Sequence, residues 1–138
     1  MQTLIYKNIF RNELLSKPFI DSIKLFNERN YKKAYNSFFE LWYHTKAPNR
    51  KLLFQGFVQL SAAMKLLEDR KFNGANKVIK DCLHNLMNFE QIEKPFNVRK
   101  LILDSFEYFE NLDKDIDPLL CDVEIKTRPT IAVEKVFN

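Results

Sequence analysis

The chain has 138 residues, of which 46% are hydrophobic and only two are glycine. A chain of this length suits one domain, and its hydrophobic fraction supplies a core and excludes intrinsic disorder. Two glycines and five prolines exclude collagen-like chains, and they disfavour glycine-rich phosphate loops and tight β-hairpins. We therefore expect a single domain over residues 1–138, with a core at about 18–112 and an extended tail at 113–138.

The charge is unevenly distributed, because residues 1–60 carry +6 and residues 101–138 carry −5. Two clusters hold the basic side chains, the first at Arg29, Lys32 and Lys33 and the second at Lys46, Arg50 and Lys51. Such a basic patch attracts phosphate, and the nearby Tyr31, Tyr35 and Tyr43 could stack on bases, which makes nucleic acid one candidate partner. The alternative is that these cations only solvate helix faces and pair with the acidic C-terminal segment.

Membrane insertion and secretion are not indicated. The longest stretch without a charged residue, Leu52–Met64, falls short of the ~20 residues that span a bilayer, so we expect no membrane partner. Charges interrupt the first thirty positions, so no secretory signal is expected, and Cys82 and Cys121 are too few for a disulfide framework. We expect a soluble protein. Its abundant Phe, Asn and Lys, which have AT-rich codons, indicate a plastid (chloroplast stroma) or the cytoplasm of a low-GC bacterium.

Apolar residues recur at the spacing of amphipathic helices in five segments, which predicts an all-α fold, a compact bundle of about five helices. The third helix has the broadest apolar stripe and is expected to pack on more than one side. The predicted helices run from about Phe19 to Glu28, Tyr31 to His44, Asn49 to Asp69, Ala75 to Met87 and Val98 to Leu112. Residues 2–15 could form a short helix or an arm, and a strand-like piece is expected near Val123–Ile125 in the tail.

A weak internal repeat is visible. Arg29–Trp42 aligns with Arg70–Leu83 at an offset of 41 residues, with arginine and alanine positions in register. This pattern is typical of TPR-like helical hairpins. Two copies are fewer than the three that an open solenoid needs, so we expect the hairpins to belong to a closed bundle.

Catalytic motifs are sparse. The two histidines, His44 and His84, lie on different predicted helices, and no metalloprotease, hydrolase, phosphate-loop or dinucleotide motif accompanies them. We therefore expect no catalytic residue, metal ligand or cofactor. The sequence favours a non-enzymatic role without deciding the question.

A polar set surrounds the second and third predicted helices. Gln55 and Gln59 share one helix face beside Gly56, which favours the close approach of another helix. Because an unsatisfied buried amide costs about 1–3 kcal/mol, these glutamines need partners, and Glu40 and Trp42 are candidates. A structural hydrogen-bond network is the favoured interpretation, and a pocket lining is the alternative.

The segment from Phe26 to Leu83 resembles domain of unknown function family 309, above all in LLFQGFVQLSAAM and in the glycine and alanine at 74 and 75. The resemblance implies a compact all-helical bundle. Residues that match the family pattern include Tyr31, Ala34, Glu40, Trp42, Gln55, Gly56, Gln59 and Gly74.

This chain departs from the family at its acidic and histidine positions. Where the family has glutamate or histidine, the chain has Lys33, Tyr35, Asn36, Phe39 and Leu66. Aromatic and aliphatic side chains cannot replace carboxylate or imidazole ligands, and a lysine repels a cation. The resemblance therefore implies that any metal or acid–base role of the family is lost here.

Three functions follow as hypotheses. The first is a non-catalytic interaction module whose partner is a protein or an RNA-containing complex. The second is a small-ligand or enzyme pocket around Glu40, Gln55 and Gln59. The third is an RNA-associated basic protein, which requires the two basic clusters to form one surface.

Overall fold

The computed structural model describes residues 16–112 and 128–133. Within these residues the chain is all-helical and compact, with no strand, so the predicted fold class is confirmed. The helices are α1 (Lys17–Asn27), α2 (Tyr31–His44), α3 (Pro48–Glu68), α4 (Phe72–Leu86) and α5 (Val98–Leu112), with a 3-10 turn at Met87–Phe89. The predictions for residues 2–15 and for Val123–Ile125 lie outside the described residues.

Two tight turns of the same geometry connect α1 to α2 and α3 to α4. In each turn an arginine, Arg29 or Arg70, adopts the left-handed conformation, with φ of 66° and 61°. The residue after each arginine donates its backbone N–H to a carbonyl five residues back, at 2.9 Å in both turns, which is the Schellman end of a helix. The two arginines lie 41 positions apart, so the sequence repeat coincides with a repeated turn. That the hairpins form a TPR-like pair stays a prediction.

The start of α4 differs from its predicted position. The sequence places residues 72–74 in a connection, whereas α4 begins at Phe72 and contains Gly74. The physical reason is that Arg70 supplies the left-handed turn that a glycine usually provides, so the connection is complete before residue 72.

The core is centred on phenylalanine rings from four segments. Phe19 of α1 is fully buried, and its ring centroid lies 5.5–6.1 Å from those of four other phenylalanines. These four are Phe38 of α2, Phe54 and Phe57 of α3, and Phe96 in the segment before α5. Because one ring touches every partner, this cluster fixes the relative positions of the first three helices.

α3 is the central helix, since it packs against α2 on one side and α4 on the other. At Gly56, α3 and α4 approach so closely that a Cβ added to this glycine would lie 2.7 Å from Cδ2 of Leu86. The Cys82 thiol donates to the Gly56 carbonyl at 3.2 Å at the same crossing. The expectation that Gly56 permits a close helix approach is confirmed.

Residues 128–133 form no helix or strand and pack on the helices, and this packing agrees with the tail that the sequence predicts. The side-chain amide of Asn27 holds both backbone groups of Ile131, donating to its carbonyl at 2.9 Å and accepting from its N–H at 2.8 Å. Arg128 pairs with Glu68 at the end of α3, at 3.2 Å. The segment therefore joins α1 to α3 from outside.

The Gly56 crossing yields a stability prediction. Alanine gains about 1 kcal/mol over glycine in a helix, but overpacking a core costs about 1–3 kcal/mol, and Leu86 is fully buried and cannot swing into solvent. We expect Gly56→Ala to lower the free energy of unfolding by about 1 kcal/mol, as measured by urea denaturation.

Gly74→Ala is the matched control. Its Cβ would meet Leu66 at 3.7 Å, an ordinary contact, so we expect a gain of about 0.5–1 kcal/mol. Shifts of equal size and sign in the two variants would contradict the steric argument.

Candidate functional site

One side of α2 carries aromatic side chains that the core does not bury. Tyr35, Phe39 and Tyr43 recur at four-residue spacing, with ring centroids 6.2 and 6.4 Å apart and planes 26° and 21° from parallel. Trp42 leans against Phe39 at 5.3 Å. These four residues form the aromatic row of α2. Tyr43 is 65% exposed and Phe39 is 38% exposed, so the row presents ring surface to solvent.

Helix period explains why the row lies outside. The buried stripe of α2 consists of Tyr31, Ala34 and Phe38, and a helix buries only one such stripe against its neighbours. Tyr35 follows Ala34 by one position, and Trp42 follows Phe38 by four. Both are half-buried at the edge of the stripe. Tyr31, which the sequence offers as a base-stacking residue, is only 2% exposed and cannot serve in that role.

A lysine of α3 lies over the row. The Lys51 ammonium is 4.5 Å from the centroid of the Trp42 ring, which is a cation–π contact. Contacts of this kind contribute about 0.5–1 kcal/mol at exposed sites. The contact places a positive charge directly beside the aromatic surface.

The two basic clusters occupy opposite ends of α2. α2 ends at His44, so the eleven helical steps from Lys33 to His44 span about 16 Å at 1.5 Å per residue, and Lys46 lies two residues farther along the chain. Lys33 and Lys46 therefore lie toward opposite ends of the aromatic row, whereas Lys51 of the second cluster lies against Trp42 within the row. Lys32 precedes Tyr35 and Phe39 by three and seven positions, so it lies in line with the row.

The surroundings of the row contain little negative charge. Between residues 29 and 67 the sequence has seven lysines and arginines and one carboxylate, Glu40. The Glu40 carboxylate lies 3.2 Å from Nε2 of His44 on the exposed surface of α2. Cations therefore outnumber carboxylates along α2 and at its ends, and Glu40 is the carboxylate nearest the row in sequence, three positions before Tyr43.

The structure brings together only part of the polar set that the sequence indicates, which consists of Glu40, Trp42, Gln55 and Gln59. Lys51, Gln55 and Gln59 follow each other at four-residue spacing along α3, so both glutamines lie on the side that carries the Trp42 contact. Glu40 is two residues, or about 200°, from Trp42 and lies on the opposite side of α2. Three of the four residues thus share a side of the bundle, and Glu40 does not.

The partner of Gln59 is on α4. Its Oε1 accepts a hydrogen bond from Nδ2 of Asn85 at 2.7 Å, and Gln55 and Gln59 are both half-buried. The sequence analysis proposes Glu40 and Trp42 of α2 as partners of the glutamines, and it does not identify Asn85. The available signal is its spacing, since Asn85 follows Cys82 by three residues on the face that meets Gly56.

A second exposed apolar feature lies between α4 and α5. A cavity of about 110 Å³ is lined there by Ile79, Leu83, Phe106 and other side chains of the two helices. Phe106 and Leu103 of α5 are 56% and 60% exposed. Sequence period alone does not separate such exposed rings from core rings, and the groove is not foreseen.

Buried reactive groups are few in the described part of the chain. Burial raises the pKa of the Cys82 thiol, so the thiol stays protonated at neutral pH and is a poor nucleophile. Burial also raises the pKa of the Tyr31 hydroxyl. In residues 16–112 and 128–133, no three His, Cys, Asp or Glu side chains lie close enough to hold a metal ion.

Comparisons with known proteins give no match. No protein-family model, no curated protein and no solved structure matches this chain. The resemblance to domain of unknown function family 309 therefore stays a prediction. Among the described helices, none has the length and apolar character needed to cross a membrane.

Cys82 provides a test of the site chemistry. In a Cys121→Ser background, we expect iodoacetamide to leave the folded protein unmodified between about pH 7 and pH 9, because burial keeps the thiol protonated and unreachable. The same protein in denaturing urea should be alkylated fully, which mass spectrometry detects. Native alkylation that rises about tenfold per pH unit would show a reachable thiol and contradict this account.

Proposed function

We propose that this protein is a non-catalytic interaction module whose partner binds across the aromatic row of α2. The observation that carries the proposal is the exposure of Tyr43 and Phe39 within an ordered stack of rings. Aromatic residues are frequent anchors of binding interfaces, because they bury a large area and lose little conformational freedom.

The row is held rigidly before any partner arrives. Ala34 and Phe38, on the inner side of α2, are fully buried, and the Phe38 ring stacks on Phe57 at 5.3 Å with planes 19° apart. A side chain on a fixed helix has less entropy to lose on binding than one on a loop. This rigidity supports a role in recognition.

Charge restricts the partner. Lys32, Lys33, Lys46 and Lys51 lie on α2 or next to it with one carboxylate, Glu40, so a partner with negative charge is favoured electrostatically. Both partner classes of the sequence hypothesis, a protein and an RNA-containing complex, can meet this condition. The compositional bias adds the plastid stroma or a bacterial cytoplasm as the proposed location.

The alternative of a pocket around Glu40, Gln55 and Gln59 has less support. Gln59 is already bonded to Asn85 at 2.7 Å, which agrees with a structural network between helices. Glu40 faces away from Trp42 and lies beside His44. We therefore favour binding on the outer surface of α2.

Site-specific photo-crosslinking tests the proposal. A photoreactive phenylalanine analogue replaces Tyr43 in the full chain, which is added to an extract of its native host and irradiated. We expect an adduct that mass spectrometry identifies. The partner identified in this way is then purified. We expect it to bind the wild-type protein at least about tenfold more tightly than it binds a Phe39→Ser variant, a difference of about 1.4 kcal/mol in binding free energy.

Phe106 gives the matched control, since it is also an exposed aromatic residue, on α5. The same analogue at Phe106 should give no adduct with that partner. Circular dichroism must show that Phe39→Ser is folded, as its partial exposure predicts. An equal yield at the two positions, or an undiminished affinity in Phe39→Ser, would contradict the proposal.

A further inference from the structure

The aromatic row is linear and regular. Tyr35, Phe39 and Tyr43 succeed each other at centroid distances of 6.2 and 6.4 Å, with planes that stay within 26° of parallel. A row of this kind is suited to a ligand that carries a flat ring at each repeating unit. Each nucleotide of a single strand carries one, and stacking tolerates any base.

Cations are placed at both ends of the row and beside it. Lys32 and Lys46 lie before and after the rings, and Lys51 lies 4.5 Å from the Trp42 centroid. The helical part of the track, from Lys33 to His44, is about 16 Å long. A ligand that spans it must carry negative charge along its length, as a phosphate backbone does.

An acidic peptide meets the charge condition but not the ring condition. Only some side chains of such a peptide carry a ring, whereas every nucleotide of a single strand does, so the peptide cannot match a regular row of rings. Duplex nucleic acid fails as well, because its bases are already stacked on each other. RNA presents unstacked bases in loops and single-stranded stretches.

We infer that the aromatic row and the lysines around it bind single-stranded RNA, with bases stacked on Phe39 and Tyr43 and phosphates held by Lys32, Lys46 and Lys51. This inference rests on the proposed function and names the partner. It requires no base-specific hydrogen bond, so little sequence preference is expected.

Fluorescence anisotropy with the full-length protein tests the inference. The probe is a labelled single-stranded RNA of about twelve nucleotides with mixed sequence. We expect Tyr43→Ala and Phe39→Ala each to weaken binding at least about fivefold, and Tyr43→Phe to retain it, because stacking needs the ring and not the hydroxyl. Lys32→Gln and Lys46→Gln should each reduce the slope of log affinity against log salt by about 0.7.

Matched variants keep the test specific. Phe106→Ala removes an exposed ring from α5, and Lys77→Gln removes an exposed cation from α4, and neither should change RNA affinity. Equal losses in these controls would show general polyelectrolyte binding and overturn the inference. Equal or stronger competition by an RNA duplex or by polyglutamate would also overturn it.

Failure here is distinguishable from failure of the proposed function. A crosslink at position 43 that survives nuclease and contains a protein would support the interaction module and refute RNA as its partner. A labelled RNA crosslinked at position 43, and removed by nuclease, would support both. Absence of RNA binding together with absence of any adduct at position 43 would refute both.

Discussion

The fold depends on the packing of Phe19 against four other phenylalanine rings. This cluster packs the inner faces of α1, α2 and α3 against each other and against the segment before α5. Because α2 meets its neighbours through Phe38, it can bury no more than one stripe of side chains. Its remaining aromatic residues are left at the edge and on the outside. The candidate binding surface is therefore a consequence of how the core is filled.

Helical period was sufficient for most of the fold. The bounds of α2 and α5 agree with the predicted bounds, and α3 differs by one residue at each end, since these helices have clear apolar stripes and prolines near their ends. The start of α4 was misplaced by three residues. A left-handed arginine such as Arg70 has no sequence signature, whereas a glycine nearby suggests a turn even when it lies inside the helix.

The site was less accessible to sequence reasoning. The spacing of Gln55 and Gln59 located a polar contact at the Gly56 crossing, but its partner Asn85 depends on how α4 is rotated against α3, which period does not determine. Helix period places Phe38 on the buried stripe of α2 and Phe39 outside it, but the ring contacts of Phe39 with Tyr35 and Tyr43 depend on side-chain conformation. The two basic clusters were identified by position, but the contact of Lys51 with Trp42 depends on how α3 packs against α2, which period does not determine.

The bond between Asn27 and Ile131 bears on the order of folding. It joins residues 104 positions apart, whereas the main helix contacts join neighbours in the chain. Closing so long a loop carries an entropic cost of about (3/2)RT ln n, which only preformed contact surfaces can offset efficiently. We expect the helices to pack first and residues 128–133 to dock last. Until residues 128–133 dock, the side-chain amide of Asn27 is therefore left to bond with water.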